Sequence, residues 1–115
     1  MLKVYYLDDE QDLLDVFSET LSSPQVQVRT FSDPAALIEA VQEAPPHLLF
    51  LDYRLPRTTG DAVAQKLDAS VPKVLVTGDV LIHTQVQYLA VLTKPFELKA
   101  VRELIDRALT NLAGS

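Results

Sequence analysis

The chain contains no cysteine. Disulfides and thiolate metal sites are therefore excluded, which suits the cytoplasm. It has no apolar run approaching the roughly 18 residues of a membrane span. The N-terminus, MLKVYYLDDE, turns acidic too early for a signal peptide. Positive charge is scarce: 10 Lys and Arg face 16 Asp and Glu, a formal charge of -6. Direct nucleic-acid binding needs a basic surface for phosphate, so this balance argues against it and fits cation or partner binding. Internal repeats, low-complexity tracts and linkers are missing too. What remains is 115 residues, 48% of them apolar, enough for one domain with a core of its own.

The hydrophobic period switches repeatedly between strand-like and helix-like. LKVYYL (2–7) is an apolar strand that runs into Asp8 and Asp9. Leu13, Leu14, Phe17 and Leu21 recur at helical spacing between Glu10 and Ser22, and Ser23-Pro24 stops that helix. VQVRTF (26–31) alternates, as a strand near an edge does. Asp33 can cap the next helix, with Pro34 at its first position. That helix carries Leu37, Ile38 and Val41 and ends before Pro45-Pro46. HLLFLD (47–52) is continuously apolar and hence central. A short helix starts at Gly60-Asp61 and holds Val63, Ala64 and Leu67. KVLVT (73–77) is a buried strand and YLAVLT (88–93) a fifth. Residues 79–87 show no clean helical stripe. Val101, Leu104, Ile105, Ala108 and Leu112 mark an amphipathic last helix, with Gly114 as its stop.

Strand and helix thus alternate five times, with the fourth helix poorly supported. The pattern implies an α/β fold: a doubly wound (βα)5, flavodoxin-like parallel sheet in the order 2-1-3-4-5. Functional sites of such sheets lie beyond the carboxyl ends of the strands, near the switch point between strands 1 and 3. Asp8 and Asp9 end strand 1, Asp52 ends strand 3, Thr77 ends strand 4 and Lys94 follows strand 5. Each has an ordinary reading by itself. Asp8 or Asp9 could cap the first helix, Asp52 a turn; Thr77 could be a simple β-former and Lys94 a solvated cation. Together they put several carboxylates at one rim, where like charges need an offset. A hard divalent cation supplies one, and Mg²⁺ suits an all-oxygen set. Such a site can make a carboxylate the nucleophile toward phosphorus.

These residues carry a resemblance. Asp8-Asp9, the stretch DYRLPRTTG (52–60), Thr77 and KPF (94–96) resemble, in order, the motifs of the receiver domain of two-component response regulators. The resemblance covers essentially residues 1–115. It implies that Asp52 is the phosphoacceptor, that Asp9 binds Mg²⁺ directly and Asp8 mainly through water, and that the Arg54 backbone carbonyl is a further ligand. It implies that Thr77 and Lys94 hold the phosphoryl oxygens and that Lys94–Pro95 is cis. A sensor histidine kinase or histidine phosphotransfer protein would be the donor, and a downstream protein the output. The chain would be a cytoplasmic regulator, not an enzyme turning over a free substrate.

Two departures stand out. Receivers usually carry Tyr or Phe three residues before the lysine; here the position is Val91. Tyr88 lies three residues earlier, on the opposite face of a regular strand. The stretch from Thr77 to Lys94 is also short, so the fourth helix should be truncated, distorted or lost. Gly78 follows Thr77 and leaves room above it. The short segment and the Thr-Gly pair resemble an atypical receiver group. A pseudo-receiver, an interaction module independent of phosphorylation, is the alternative. A haloacid dehalogenase-type phosphatase is a third, but it wants an acid two residues after the nucleophile, where Arg54 stands. His47 and His83 read as surface residues, Tyr5 and Tyr6 as packing, and Phe96 as packing under the last helix. The chain stops just after that helix, as a single-domain regulator or a fragment of a larger one would.

Overall fold

The structure is a computed structural model and describes residues 1–78 and 83–114. Its strands are β1 (Leu2–Leu7), β2 (Val26–Phe31), β3 (Leu48–Asp52), β4 (Lys73–Thr77) and β5 (Ala90–Thr93). Its described helices are α1 (Gln11–Leu21), α2 (Pro34–Glu43), α3 (Gly60–Gln65) and α4 (Leu98–Ala113). The sheet order is β2-β1-β3-β4-β5 and every pairing is parallel. The expected topology is therefore observed.

Side-chain alternation sorts the core into two layers. Leu2, Val4 and Tyr6 of β1, Leu48 and Phe50 of β3, and Val74 and Val76 of β4 pack with α1 and α4. Tyr5, Leu7, Leu49, Leu51 and Leu75 face the other way, onto Leu37 and Val41 of α2 and Val63 and Ala64 of α3. β3 is buried along its whole length. That is why LLFL shows no alternation: both faces are covered. β2, at an edge, keeps the alternating pattern its sequence has.

Helix ends follow local chemistry. Asp33 accepts from the Ala35 N–H at 3.3 Å, with Pro34 opening α2. Thr59 caps α3 by accepting from the Ala62 N–H at 3.0 Å. At α1 neither Asp8 nor Asp9, the ordinary cap candidates, stands at the cap. Glu10 is the cap residue and its side chain makes no capping bond; Asp8 instead accepts from the Glu10 N–H at 3.0 Å.

Three further corrections concern boundaries and burial. Leu67 lies just past α3, although it packs on the second layer. β5 starts at Ala90, so strand alternation does not reach Tyr88, whose ring packs with the second layer. His47 precedes β3 and is half-buried: its N–H donates to the Lys3 carbonyl and its Nδ1 accepts from the Lys3 N–H, both at 2.8 Å. His83 is exposed as expected, and Phe96 packs on the first layer. No helix joins β4 to β5 among the described residues. Asp79, Val80, Leu81 and Ile82, part of the segment expected to be remodelled, lie outside them.

β4 begins with a buried cation. Lys73 is 3% exposed and donates from Nζ to the carbonyls of Asp68 and Val71, both at 2.9 Å. Burial lowers its pKa, against a rise from Asp68. The ammonium ties the turn after α3 to the base of the sheet.

Candidate phosphoacceptor site

Three strand ends and one loop meet at a single rim. β1 delivers Asp8, whose N–H donates to the Phe31 carbonyl of β2 at 3.0 Å. β3 delivers Asp52, and the next residue, Tyr53, donates its N–H to Val76 of β4 at 2.8 Å. β4 ends at Thr77, whose carbonyl accepts from the Lys94 N–H at 2.7 Å. That bond returns the chain to the rim after β5. The Lys94–Pro95 peptide is cis, as the resemblance implied.

Lys94 Nζ lies 3.1 Å from Asp52 Oδ1, 3.3 Å from Asp8 Oδ2 and 3.7 Å from Glu10 Oε1. Asp8 is fully buried and Asp52 nearly so, whereas Asp9 is exposed. Oxygens of Asp8, Asp9 and Asp52 lie within 4.8 Å of one another. Burial and the neighbouring Asp8 push the Asp52 pKa from 3.8 to about 7, despite the opposing pull of Lys94. Burial works against the charge on Lys94, but Asp8 and Asp52 outweigh it and raise its pKa. One ammonium is thus too little positive charge for this group of carboxylates. That imbalance and the all-oxygen donor set fit a hard divalent cation.

The loop from 53 to 60 is built to hold this end of β3. Arg54 and Thr59 bridge across it in antiparallel fashion, and the Leu55 N–H donates to Thr58 at 3.2 Å. Leu55 is buried in the second layer and anchors the turn. The Gly60 N–H donates to Tyr53 at 2.8 Å. A Cβ on Gly60 would stand 2.2 Å from the Asp52 carbonyl oxygen, so only glycine lets α3 start this close to Asp52.

All six residues singled out from the sequence lie on this rim or its loop: Asp8, Asp9, Asp52, Arg54, Thr77 and Lys94. Sequence reasoning missed two others. Tyr6, read as packing, donates its hydroxyl to Asp8 Oδ2 at 2.6 Å. Burial and Asp8 raise its pKa, so it stays a donor. The signal was available, since Tyr6 is two residues before Asp8 and on the same side of the strand. Glu10, at the start of the first helical stretch, is the other, with its Oε1 3.7 Å from Lys94 Nζ.

The raised Asp52 pKa has a consequence for stability without divalent metal. Its folded pKa, about 7, exceeds the value of 3.8 it would otherwise have. The folded state then holds a proton the unfolded state has lost, and that stability disappears as pH rises through 7. Asp52→Asn, which cannot ionise, should therefore gain on the wild type by up to about 4 kcal/mol between pH 4 and pH 8. Urea unfolding in EDTA at both pH values measures the difference. A constant difference would show that Asp52 ionises without strain.

Comparison with known proteins places these features. The family described as the response regulator receiver domain matches residues 4–106. The Streptococcus pneumoniae protein "Response regulator RR06" is 30% identical, over 92% of this chain and 54% of its own length. The Pseudomonas aeruginosa protein "Response regulator protein PilR" is 28% identical, over 93% of this chain and 26% of its own. The chain thus spans about half of one relative and a quarter of the other. A CheY-like receiver domain protein from Methanospirillum hungatei superposes with a TM-score of 0.85 at 19% identity, over 96% of this chain and 95% of that one. At that identity the likeness speaks for the fold, and the match over residues 4–106 supplies the rest: the chain belongs to the response regulator receiver domain family.

Proposed function

We infer that residues 1–115 form a receiver domain that accepts a phosphoryl group on Asp52 and thereby changes its affinity for a downstream protein. The donor is the phosphohistidine of a sensor histidine kinase or a histidine phosphotransfer protein. The observation that carries this reading is the carboxylate of Asp52, held at the end of the central strand 3.1 Å from Lys94 Nζ, with Asp8 and Asp9 beside it.

An Asp52 oxygen forms the new O–P bond as the N–P bond of the donor breaks, and the electron pair stays on the leaving imidazole. Asp9, Asp8, Asp52 and the Arg54 carbonyl would hold Mg²⁺. When bound, the ion supplies the positive charge that keeps Asp52 ionised and screens the transferring oxygens. Lys94 is placed to pair with a phosphoryl oxygen in exchange for its present carboxylate contact. Thr77, at the end of the adjacent strand, offers a hydroxyl to another. Tyr6 and the Glu10 N–H keep Asp8 oriented through both its oxygens. The domain acts in the cytoplasm as a regulator, without direct nucleic-acid or membrane contact of its own. None of the described helices is long and apolar enough to cross a membrane.

One observation favours a pseudo-receiver instead. Val91 is 56% exposed and offers no aromatic ring to turn inward after phosphorylation. Borohydride reduction followed by peptide mapping separates the two readings, because it converts an aspartyl phosphate to homoserine. After incubation with Mg²⁺ and acetyl phosphate, homoserine is expected at position 52 alone. Unmodified Asp52 under these conditions would favour the interaction module.

A further inference from the structure

Asp61 is a third buried carboxylate, outside the group around Lys94. It is the second residue of α3 and only 7% exposed. Its Oδ2 accepts from Gln65 Nε2 at 3.2 Å. Its Oδ1 accepts from two hydroxyls, those of Thr84 and Tyr88. Burial by itself would raise its pKa, but the bonds from Thr84, Tyr88 and Gln65 outweigh it and hold the carboxyl below the usual range. Hydrogen bonds to an ionised acceptor are the strong kind. Two of these span 23 and 27 residues of chain, so they pin the stretch 84–88 onto α3. The Thr84 oxygen also accepts from the Val86 N–H at 2.9 Å, and the Tyr88 ring packs in the second layer.

This contact lies on a closed circuit with Asp52. Asp61 directly follows Gly60, which stands against the Asp52 carbonyl. On the other side, Tyr88 leads into β5. The Leu89 N–H donates to Lys73 and the Lys94 N–H to Thr77, both at 2.7 Å, so β5 is hung on β4 at both ends. β5 ends at Thr93, and the next residue, Lys94, returns to Asp52. Val91 carries no ring, and Tyr88 is the one aromatic between Thr77 and Lys94.

We propose that Asp61, Thr84 and Tyr88 form a latch that holds the approach to β5 in its resting position and opposes occupation of Asp52. The proposal rests on the function inferred above. Thr77 and Lys94, drawn toward a phosphoryl group, pull on β4 and β5. The latch resists at Tyr88 and Thr84. Coupling of this kind is reciprocal: a group that favours the resting arrangement weakens binding of whatever favours the other. Among the described residues, nothing lies within 4 Å of where a Gly78 Cβ would be.

Beryllofluoride with Mg²⁺ mimics the phosphoryl group without chemistry, and its affinity can be read by fluorine NMR titration. Tyr88→Phe keeps the ring and deletes the hydroxyl. Thr84→Val is close to isosteric at an exposed position, so it keeps the fold intact. Both variants should bind beryllofluoride about tenfold more tightly than wild type. Tyr5→Phe is the control. It loses a comparable buried bond, from the Tyr5 hydroxyl to the Ala44 carbonyl at 2.7 Å, on a different part of the second layer. It should bind as wild type does. Unchanged or weaker binding by Tyr88→Phe and Thr84→Val overturns the latch, and so does an equal gain in Tyr5→Phe. If wild type binds and only the variants fail to differ, the latch falls and the receiver function stands. If wild type binds no beryllofluoride, both fall together.

Discussion

Gly60→Ala is expected to lower stability by about 3 kcal/mol, and with it the melting temperature by about 10 °C. The new methyl would lie 2.2 Å from the Asp52 carbonyl oxygen and 2.9 Å from its carbon. Both are backbone atoms of a central strand, so no flexible side chain can swing aside. Either α3 moves away and loses the Gly60 to Tyr53 hydrogen bond, or the end of β3 bends. The second route displaces Asp52 from Lys94. Phosphoryl uptake should therefore fall by at least about tenfold, even at temperatures where the variant is fully folded. Gly78→Ala is the contrast. Among the described residues nothing lies within 4 Å of where its Cβ would be, and stability should stay within about 0.5 kcal/mol of wild type. Thermal unfolding of both variants, with uptake from acetyl phosphate measured alongside, checks the pair. Equal tolerance at the two glycines would contradict the close approach of α3 to Asp52.

Lys94→Met should have an effect of similar size by a different route. The ammonium contacts Asp52, Asp8 and Glu10, and Asp8 is fully buried. Removing one partner of a buried pair leaves the other charge uncompensated, which costs about 3–5 kcal/mol in a dry interior. Lys94 is 23% exposed, and Asp52 can respond by taking up a proton, so about 2 kcal/mol is expected near neutral pH. The loss should shrink at pH 5, where Asp52 is protonated in the folded state. Phosphoryl uptake should fall by roughly a hundredfold, the scale of losing one charge aimed at the transferring oxygens. Mg²⁺ should stabilise this variant more than it does wild type. Urea titrations with and without Mg²⁺, at pH 5 and pH 8, measure these differences. A loss of the same size at both pH values would mean that Lys94 acts by packing rather than by charge.

The fold was legible because β1, β3 and β4 are buried runs bounded by charge or turn residues. Asp8, Asp52, Thr77 and Lys94 could be placed together once strand order was known, since each ends its own strand or directly follows it. What stayed illegible depends on side chains meeting far along the chain. Asp61 reads as an ordinary first-turn acid, yet it is buried because Thr84 and Tyr88 close over it. No local period announces a contact 27 residues away. YLAVLT reads as one strand from Tyr88, but the ladder with β4 begins only at Ala90. Lys73 looked like an ordinary strand residue, and its role appears only when the carbonyls of Asp68 and Val71 turn toward it.

The central claim is that Asp52 takes the phosphoryl group with help from an oxygen-bound divalent cation. Its most direct test is intact-protein mass after incubation with acetyl phosphate, for wild type and Asp52→Asn, in Mg²⁺ and in EDTA. Wild type in Mg²⁺ is expected to carry a single phosphoryl adduct, with none in EDTA or on Asp52→Asn under either condition. An adduct on Asp52→Asn equal to that on wild type, or wild type left unmodified in Mg²⁺, would contradict it.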